Sequence, residues 1–212
     1  MTRESASKYW LALFFRTGVR EFRTKGGKTV VNPTLQSHTT RILGTAETGS
    51  SAPDFTLKTE QGEDWRLSDH LGGVVVLLFY PQNETMVCTR QLCSVRDQWE
   101  SYLETKATIV GVSPASPVEH RAFSIKRKLA FPLLDDPNRI VTTVYSRHWL
   151  YPVSFTRAVV VIDALGIVRN RDIMLRAFRP LDSQLITDIY AARGDALNQK
   201  FDQITKRIST GT

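Results

Sequence analysis

Two cysteines, Cys88 and Cys93, are the side chains of this 212-residue sequence with the most chemistry to offer. A thiol that has lost its proton is a nucleophile and a reductant, and it oxidises stepwise through sulfenic acid to a disulfide. Four residues separate the pair, too wide a gap for Cys-x-x-Cys and the wrong one for a zinc knuckle. His38, His70, His120 and His148 are scattered, form no metal-ligand spacing, and read as surface or packing residues. No metal or organic cofactor is implied.

Cys88 follows Val74–Tyr80, a nearly continuous run of β-branched, aliphatic and aromatic residues that reads as a strand buried on both faces. Beyond Pro81 the period changes. Cys88, Leu92, Val95, Trp99 and Leu103 recur three or four residues apart and line one side of a helix. Cys88 then lies in the first turn of that helix, where unpaired backbone N–H groups and the positive end of the helix dipole favour thiolate over thiol. In an intact helix Cys93 is displaced from Cys88 by about 7.5 Å of rise and roughly 140° of rotation. A disulfide needs Cα atoms within about 7 Å and converging Cβ vectors, so this pair bonds only if the first turns unwind. Two readings follow. In one, the helix presents Cys88, which becomes sulfenic acid and is captured by Cys93 after unwinding. In the other, both are structural thiols in a reducing cytosol.

The elements that must position these thiols are legible around them. Phe55–Leu57 and Trp65–Leu67 form a candidate hairpin about Glu60–Asp64, and Ile109–Ser113 reads as a second interior strand. Pro117–Lys128 is predicted as a helix with Val118, Ala122 and Ile125 inward. Pro132–Asp136 is a short extended segment and Asn138–Tyr145 a short helix. Ala158–Asp163 and Ile167–Arg171 pair about an Ala164–Gly166 turn. Beyond Pro180, Leu181, Leu185, Ile189, Leu197, Phe201, Ile204 and Ile208 continue helical spacing, in one or two helices interrupted near Gly194. The order predicts a three-layer α/β/α domain, a central mixed sheet flanked by helices in a thioredoxin-like arrangement.

Composition bounds the remainder. The 28 Lys and Arg against 21 Asp and Glu give a net charge of +7. Residues 1–48 hold eight of the former and three of the latter, so +5 belongs to that segment and +2 to the other 164 residues. No recognition helix or basic stripe with interleaved aromatics follows, which opposes nucleic-acid binding. Hydrophobic runs fall far short of the roughly 18 residues that span a bilayer, so the chain is not read as transmembrane. Three parts are expected: a basic N-terminal extension over 1–48, the thioredoxin-like domain over 49–180, and a C-terminal helical extension over 181–212. Tyr9–Phe15 is apolar among basic residues and suits a short amphipathic helix. The expected location is cytoplasmic, with organelle targeting by the extension left open.

At the strand-to-helix junction, Pro81, Thr85 and Cys88 stand in the pattern Pro-x-x-x-Thr-x-x-Cys. Here the chain resembles the peroxiredoxin family, most of all its bacterioferritin-comigratory or peroxiredoxin Q branch. The resemblance runs from Ala52–Leu57 through Gly111–Ser113 and Phe131–Asp136 to Thr156–Asp163, about residues 50–175. It implies thiol-dependent reduction of hydrogen peroxide or an organic hydroperoxide, with Cys88 as the peroxidatic nucleophile. By the same resemblance Thr85 hydrogen-bonds peroxide and thiolate, Pro81 shapes and shields the pocket, and Arg157 stabilises the anion. Backbone N–H groups at Val87 and Cys88 complete that cradle. Cys93 falls at the resolving position, which implies an intramolecular Cys88–Cys93 disulfide reduced by a thioredoxin-like dithiol protein, in a monomer or homodimer. A thiol–disulfide oxidoreductase and a noncatalytic interaction protein on the same fold are the rival readings.

The chain departs from the family pattern at several positions. Gln91 stands where the family often has Glu, Val95 where Phe is common, and Ala115 where Asp is frequent. Arg147–Phe155 lacks the usual glycine before the arginine and is expected to give the pocket an aromatic wall.

Overall fold

In a computed structural model of the chain, residues 45–150, 152–175 and 182–210 are described, all within the unit Thr40–Thr212. The predicted Tyr9–Phe15 helix and most of the basic extension lie outside the described residues. The strands are β1 (Thr56–Thr59), β2 (Asp64–Arg66), β3 (Val75–Phe79), β4 (Thr108–Ser113), β5 (Leu133–Asp135), β6 (Thr156–Ile162) and β7 (Val168–Leu175). The helices are α1 (Met86–Asp97), α2 (Trp99–Thr105), α3 (Pro117–Arg127), α4 (Ile140–Ser146) and α5 (Asp182–Thr210).

Alternation along β3 sets the layers. Val76 and Leu78, with Tyr80 just beyond, join a core completed by residues of α1, α2, α3 and α5. Val75, Leu77 and Phe79 join the opposite core, which includes Val141 and Tyr145 of α4. The seven strands run in the order β2-β1-β5-β4-β3-β6-β7. β3 pairs in parallel with β4 and antiparallel with β6, so the sheet is mixed, as expected of a thioredoxin-like fold. The hairpin of β1 and β2 and that of β6 and β7 form where the alternating patterns and turns place them.

Two expectations about helices need correction, and a third is settled between its alternatives. The continuous stripe from Cys88 to Leu103 breaks at Gln98, whose φ of −109° and ψ of 24° end α1 and start α2. The break rotates the register, so that Tyr102 is buried and Leu103 is 57% exposed. In α3 a capping box of Ser116 and Glu119, followed by Pro117, sets the start of the helix. The inner face is His120 and Phe123, whereas Val118 and Ile125 are 78% and 70% exposed and Ala122 is also exposed. An imidazole displaces the apolar candidates because the sheet offers it Tyr80 and Ser113 as partners.

Of the one or two helices expected beyond Pro180, the structure has one, α5, of 29 residues, and Gly194 does not interrupt it. A glycine in a helix interior costs about 1 kcal/mol relative to alanine, which an established hydrogen-bond ladder tolerates. Leu185, Ile189, Ala192 and Ala196 are buried; Leu197 and Phe201 are exposed. At the N-terminus of α5, Asp182 accepts hydrogen bonds from Ser94 of α1, Gln98 at the break and Tyr102 of α2.

Two glycines give opposite tests. A Cβ on Gly194 meets nothing within 4 Å, so Gly194→Ala is expected to raise stability by about 0.5–1 kcal/mol in urea denaturation. A Cβ on Gly111 lies 2.6 Å from Leu133 Cδ2 and 3.2 Å from Tyr80 Cε1. Gly111→Ala is expected to lower stability by about 1–3 kcal/mol.

Candidate active site

β3 ends at Phe79, and the chain turns through Tyr80–Glu84 before Thr85 caps α1. The Thr85 hydroxyl accepts from the backbone N–H of Cys88 at 3.4 Å, satisfying one of the donors that a helix N-terminus leaves open. The Cys88 N–H expected to join an anion cradle is therefore engaged by Thr85. Cys88 itself is fully buried.

Arg157 comes to Cys88 from the sheet. Along β6, Ala158, Val160 and Ile162 belong to the core shared with α4, and Val159 and Val161 to the core shared with α1. Period-two alternation puts Arg157 on the α1 face. The strand begins at Thr156, two residues earlier than expected, so the arginine is part of it. Arg157 has no solvent exposure, and its Nη2 donates to Cys88 Sγ at 2.8 Å. Its Nη1 donates to Gln91 Oε1.

Of the residues singled out from sequence, Thr85, Cys88 and Arg157 come together. Pro81 starts the connecting loop, and its carbonyl accepts from Arg139 Nη2 at 3.3 Å. Cys93 is a half-buried free thiol further along the intact α1, and Cys88 is likewise a free thiol. In Arg147–Phe155, the segment expected to wall the pocket, Trp149 and Phe155 are exposed, and Tyr151 lies outside the described residues.

Sequence reasoning passed over the residues that hold the loop. Glu84 adopts φ of 59° and receives Lys126 Nζ at 2.9 Å and Arg127 Nη2 at 2.7 Å, both from α3. These two hydrogen-bonded cations hold the Glu84 carboxyl below the ordinary carboxylate range. Tyr80 donates to Asn83 Oδ1 at 2.9 Å, and its hydroxyl lies 3.3 Å from His120 Nδ1. The other ring nitrogen of His120 lies 3.4 Å from Ser113 Oγ. Burial pushes the Tyr80 phenol upward and the His120 imidazolium downward, so both are held neutral. A cleft of about 670 Å³ opens beside this loop, lined by Pro81, Asn83, Glu84, Phe123, Lys126 and Arg139. Gln91 was legible only as a departure, although it sits one turn from Cys88 on the same helix. Among the described residues no group of three or more His, Cys, Asp or Glu is placed to hold a metal ion.

Fold and site together define a class, a thioredoxin-like domain whose distinctive group is a buried thiol facing a cation. The AhpC/TSA family model matches residues 48–171, and the chain belongs to that family. It is 36% identical over 133 residues to a chloroplastic peroxiredoxin Q of Triticum aestivum, covering 60% of this chain and 59% of that protein. It is 45% identical over 97 residues to peroxiredoxin Bcp of Bacillus subtilis, covering 45% of this chain and 62% of that one. The matched region thus spans less than two thirds of either relative. The crystal structure of peroxidoxin BcpB from Mycobacterium tuberculosis superposes with a TM-score of 0.59 at 31% identity, over 69% of this chain and 98% of that one. Among the described residues no helix is long and apolar enough to cross a membrane.

The neutral, buried His120 generates a pH test. Its folded value lies below the ordinary imidazole value of about 6.5, so between the two the unfolded chain binds more protons. Its contribution is present above about pH 6.5 and is lost as pH falls towards the folded value. Urea midpoints measured from about pH 7 down to about pH 5.5 are expected to fall less for His120→Gln than for the unsubstituted protein. An equal fall in both would contradict this account.

Proposed function

We propose that the chain is a thiol peroxidase that reduces hydrogen peroxide or a small organic hydroperoxide at Cys88. The observation that carries the reading is the 2.8 Å hydrogen bond from the buried Arg157 guanidinium to Cys88 Sγ, at the N-terminus of α1. A guanidinium stabilises negative charge on sulfur and on a departing oxygen without giving up a proton. The sulfur lone pair attacks one peroxide oxygen, the O–O bond breaks, and the other oxygen leaves with the bonding pair and takes up a proton as water or alcohol. Cys88 is then sulfenic acid. Thr85 orients the reacting oxygen as well as capping α1, and Pro81 keeps bulk water from the sulfur.

The second half of the proposed cycle uses the same helix. Cys93 condenses with the sulfenic acid, forming the Cys88–Cys93 disulfide and releasing water, once the first turns of α1 have unwound. A thioredoxin-like dithiol protein then returns two electrons by exchange. The cycle needs one chain only, in a monomer or a homodimer. It turns over where a dithiol is kept reduced: the cytoplasm, or an organelle if residues 1–48 act as a targeting segment, as the chloroplastic names of the plant relatives suggest. Residues 49–180 form the catalytic domain, and 181–212 a helical extension beyond the family match at 48–171.

Peroxide consumption with a dithiol reductant tests the reading. Cys88→Ser is expected to abolish it, and activity surviving that change would sink the assignment. Cys93→Ser is expected to stop after one turnover with one oxygen added at Cys88 by intact mass, whereas the unsubstituted chain loses two hydrogens to the disulfide.

A further inference from the structure

Gln91 lies one turn beyond Cys88 on α1 and is 4% exposed. One edge of the Arg157 guanidinium spans both residues, Nη2 reaching Cys88 Sγ and Nη1 reaching Gln91 Oε1. Since a guanidinium carries donors and no acceptor, the amide atom facing it must be the oxygen. That leaves the amide nitrogen with two N–H donors. Gln91 Nε2 is buried and has no hydrogen-bond partner among the described residues.

A buried donor without an acceptor is costly, and such an atom beside a reacting centre calls for an explanation. We infer that Gln91 Nε2 is held in reserve for an oxygen brought to Cys88, first the peroxide's and then the sulfenate's. The inference rests on Cys88 being the peroxide-reducing nucleophile. During attack the S–O bond forms from the sulfur lone pair while the O–O bond breaks. Sulfur is oxidised, the peroxide is reduced, and negative charge moves from sulfur onto oxygen. Arg157 already meets the sulfur. The amide N–H then meets charge that develops only as the reaction proceeds, the kind of contact that accelerates a step. An amide is also neutral: a carboxylate at this position would hold Arg157 equally well but would repel the oxygen and offer it no N–H.

The test compares two reactions of one sulfur. Iodoacetamide alkylation of Cys88 transfers no oxygen, whereas hydrogen peroxide brings the oxygen that Nε2 is proposed to meet. In Gln91→Glu and Gln91→Met, each carrying Cys93→Ser so that one thiol remains, the ratio of peroxide to alkylation rate constants is expected to drop about tenfold or more. Both rates are taken from variants whose folding is checked by near-ultraviolet circular dichroism, since unfolding exposes the buried Cys88 to alkylation, and Gln91→Glu retains the acceptor for Arg157. An unchanged ratio in both variants overturns the inference and reduces Gln91 to a support for Arg157. If the parent Cys93→Ser protein is alkylated at Cys88 but is not oxidised by peroxide, the underlying peroxidase reading fails instead.

Discussion

Burying a cation is the constraint on which the rest of this structure depends. Arg157 is cut off from solvent, and a guanidinium withdrawn from water costs several kcal/mol unless its donors find acceptors. Two of those acceptors come from a single helix, as Cys88 Sγ and Gln91 Oε1. The alternation of β6, the pairing of β6 with β3 and the start of α1 at Thr85 must therefore agree. A slip of one residue in β6 would turn the arginine to the α4 face. The desolvation that makes the cation expensive also makes it effective, because few waters remain to screen its field at the sulfur.

The loop between β3 and α1 is supported from α3 rather than by its own sequence. Glu84 sits in left-handed backbone space, a conformation costing a non-glycine residue about 1–2 kcal/mol. Its two ion pairs are partly exposed, so each contributes modestly. The deeper hold comes from Tyr80, Asn83 and His120, whose polar groups satisfy one another where water is scarce. α3 is thus a brace for the loop that leads to the site, and its Phe123 shares a core with Cys88.

Much of the fold was legible because the strands keep strict patterns. The run Val74–Tyr80, the turn at Ala164–Gly166 and the helical stripe through Cys88, Leu92 and Val95 each have one physical solution. The site was half legible: cysteine chemistry, helix position and the family pattern pointed to Cys88, while Arg157 rested on the resemblance. The misreadings have separate causes. Apolar spacing assigned Val118 and Ile125 to the inside of α3, but pairing with Tyr80 and Ser113 draws His120 inward instead. Leu103 was misplaced because a break at Gln98 leaves no signature in periodicity. The meaning of Gln91 depends on a nitrogen without a partner, which no local pattern records.

That same interruption has a mechanical consequence. Helix melting spreads by releasing successive hydrogen bonds along an unbroken ladder, and here the ladder already ends at Gln98. Asp182 anchors the chain on both sides of that point, holding Ser94, Gln98 and Tyr102. Fraying that begins at Thr85 thus meets a firebreak at Gln98, five residues past Cys93. Melting of α1 is confined to its 12 residues, about three turns, and leaves α2, with the core it covers, in place.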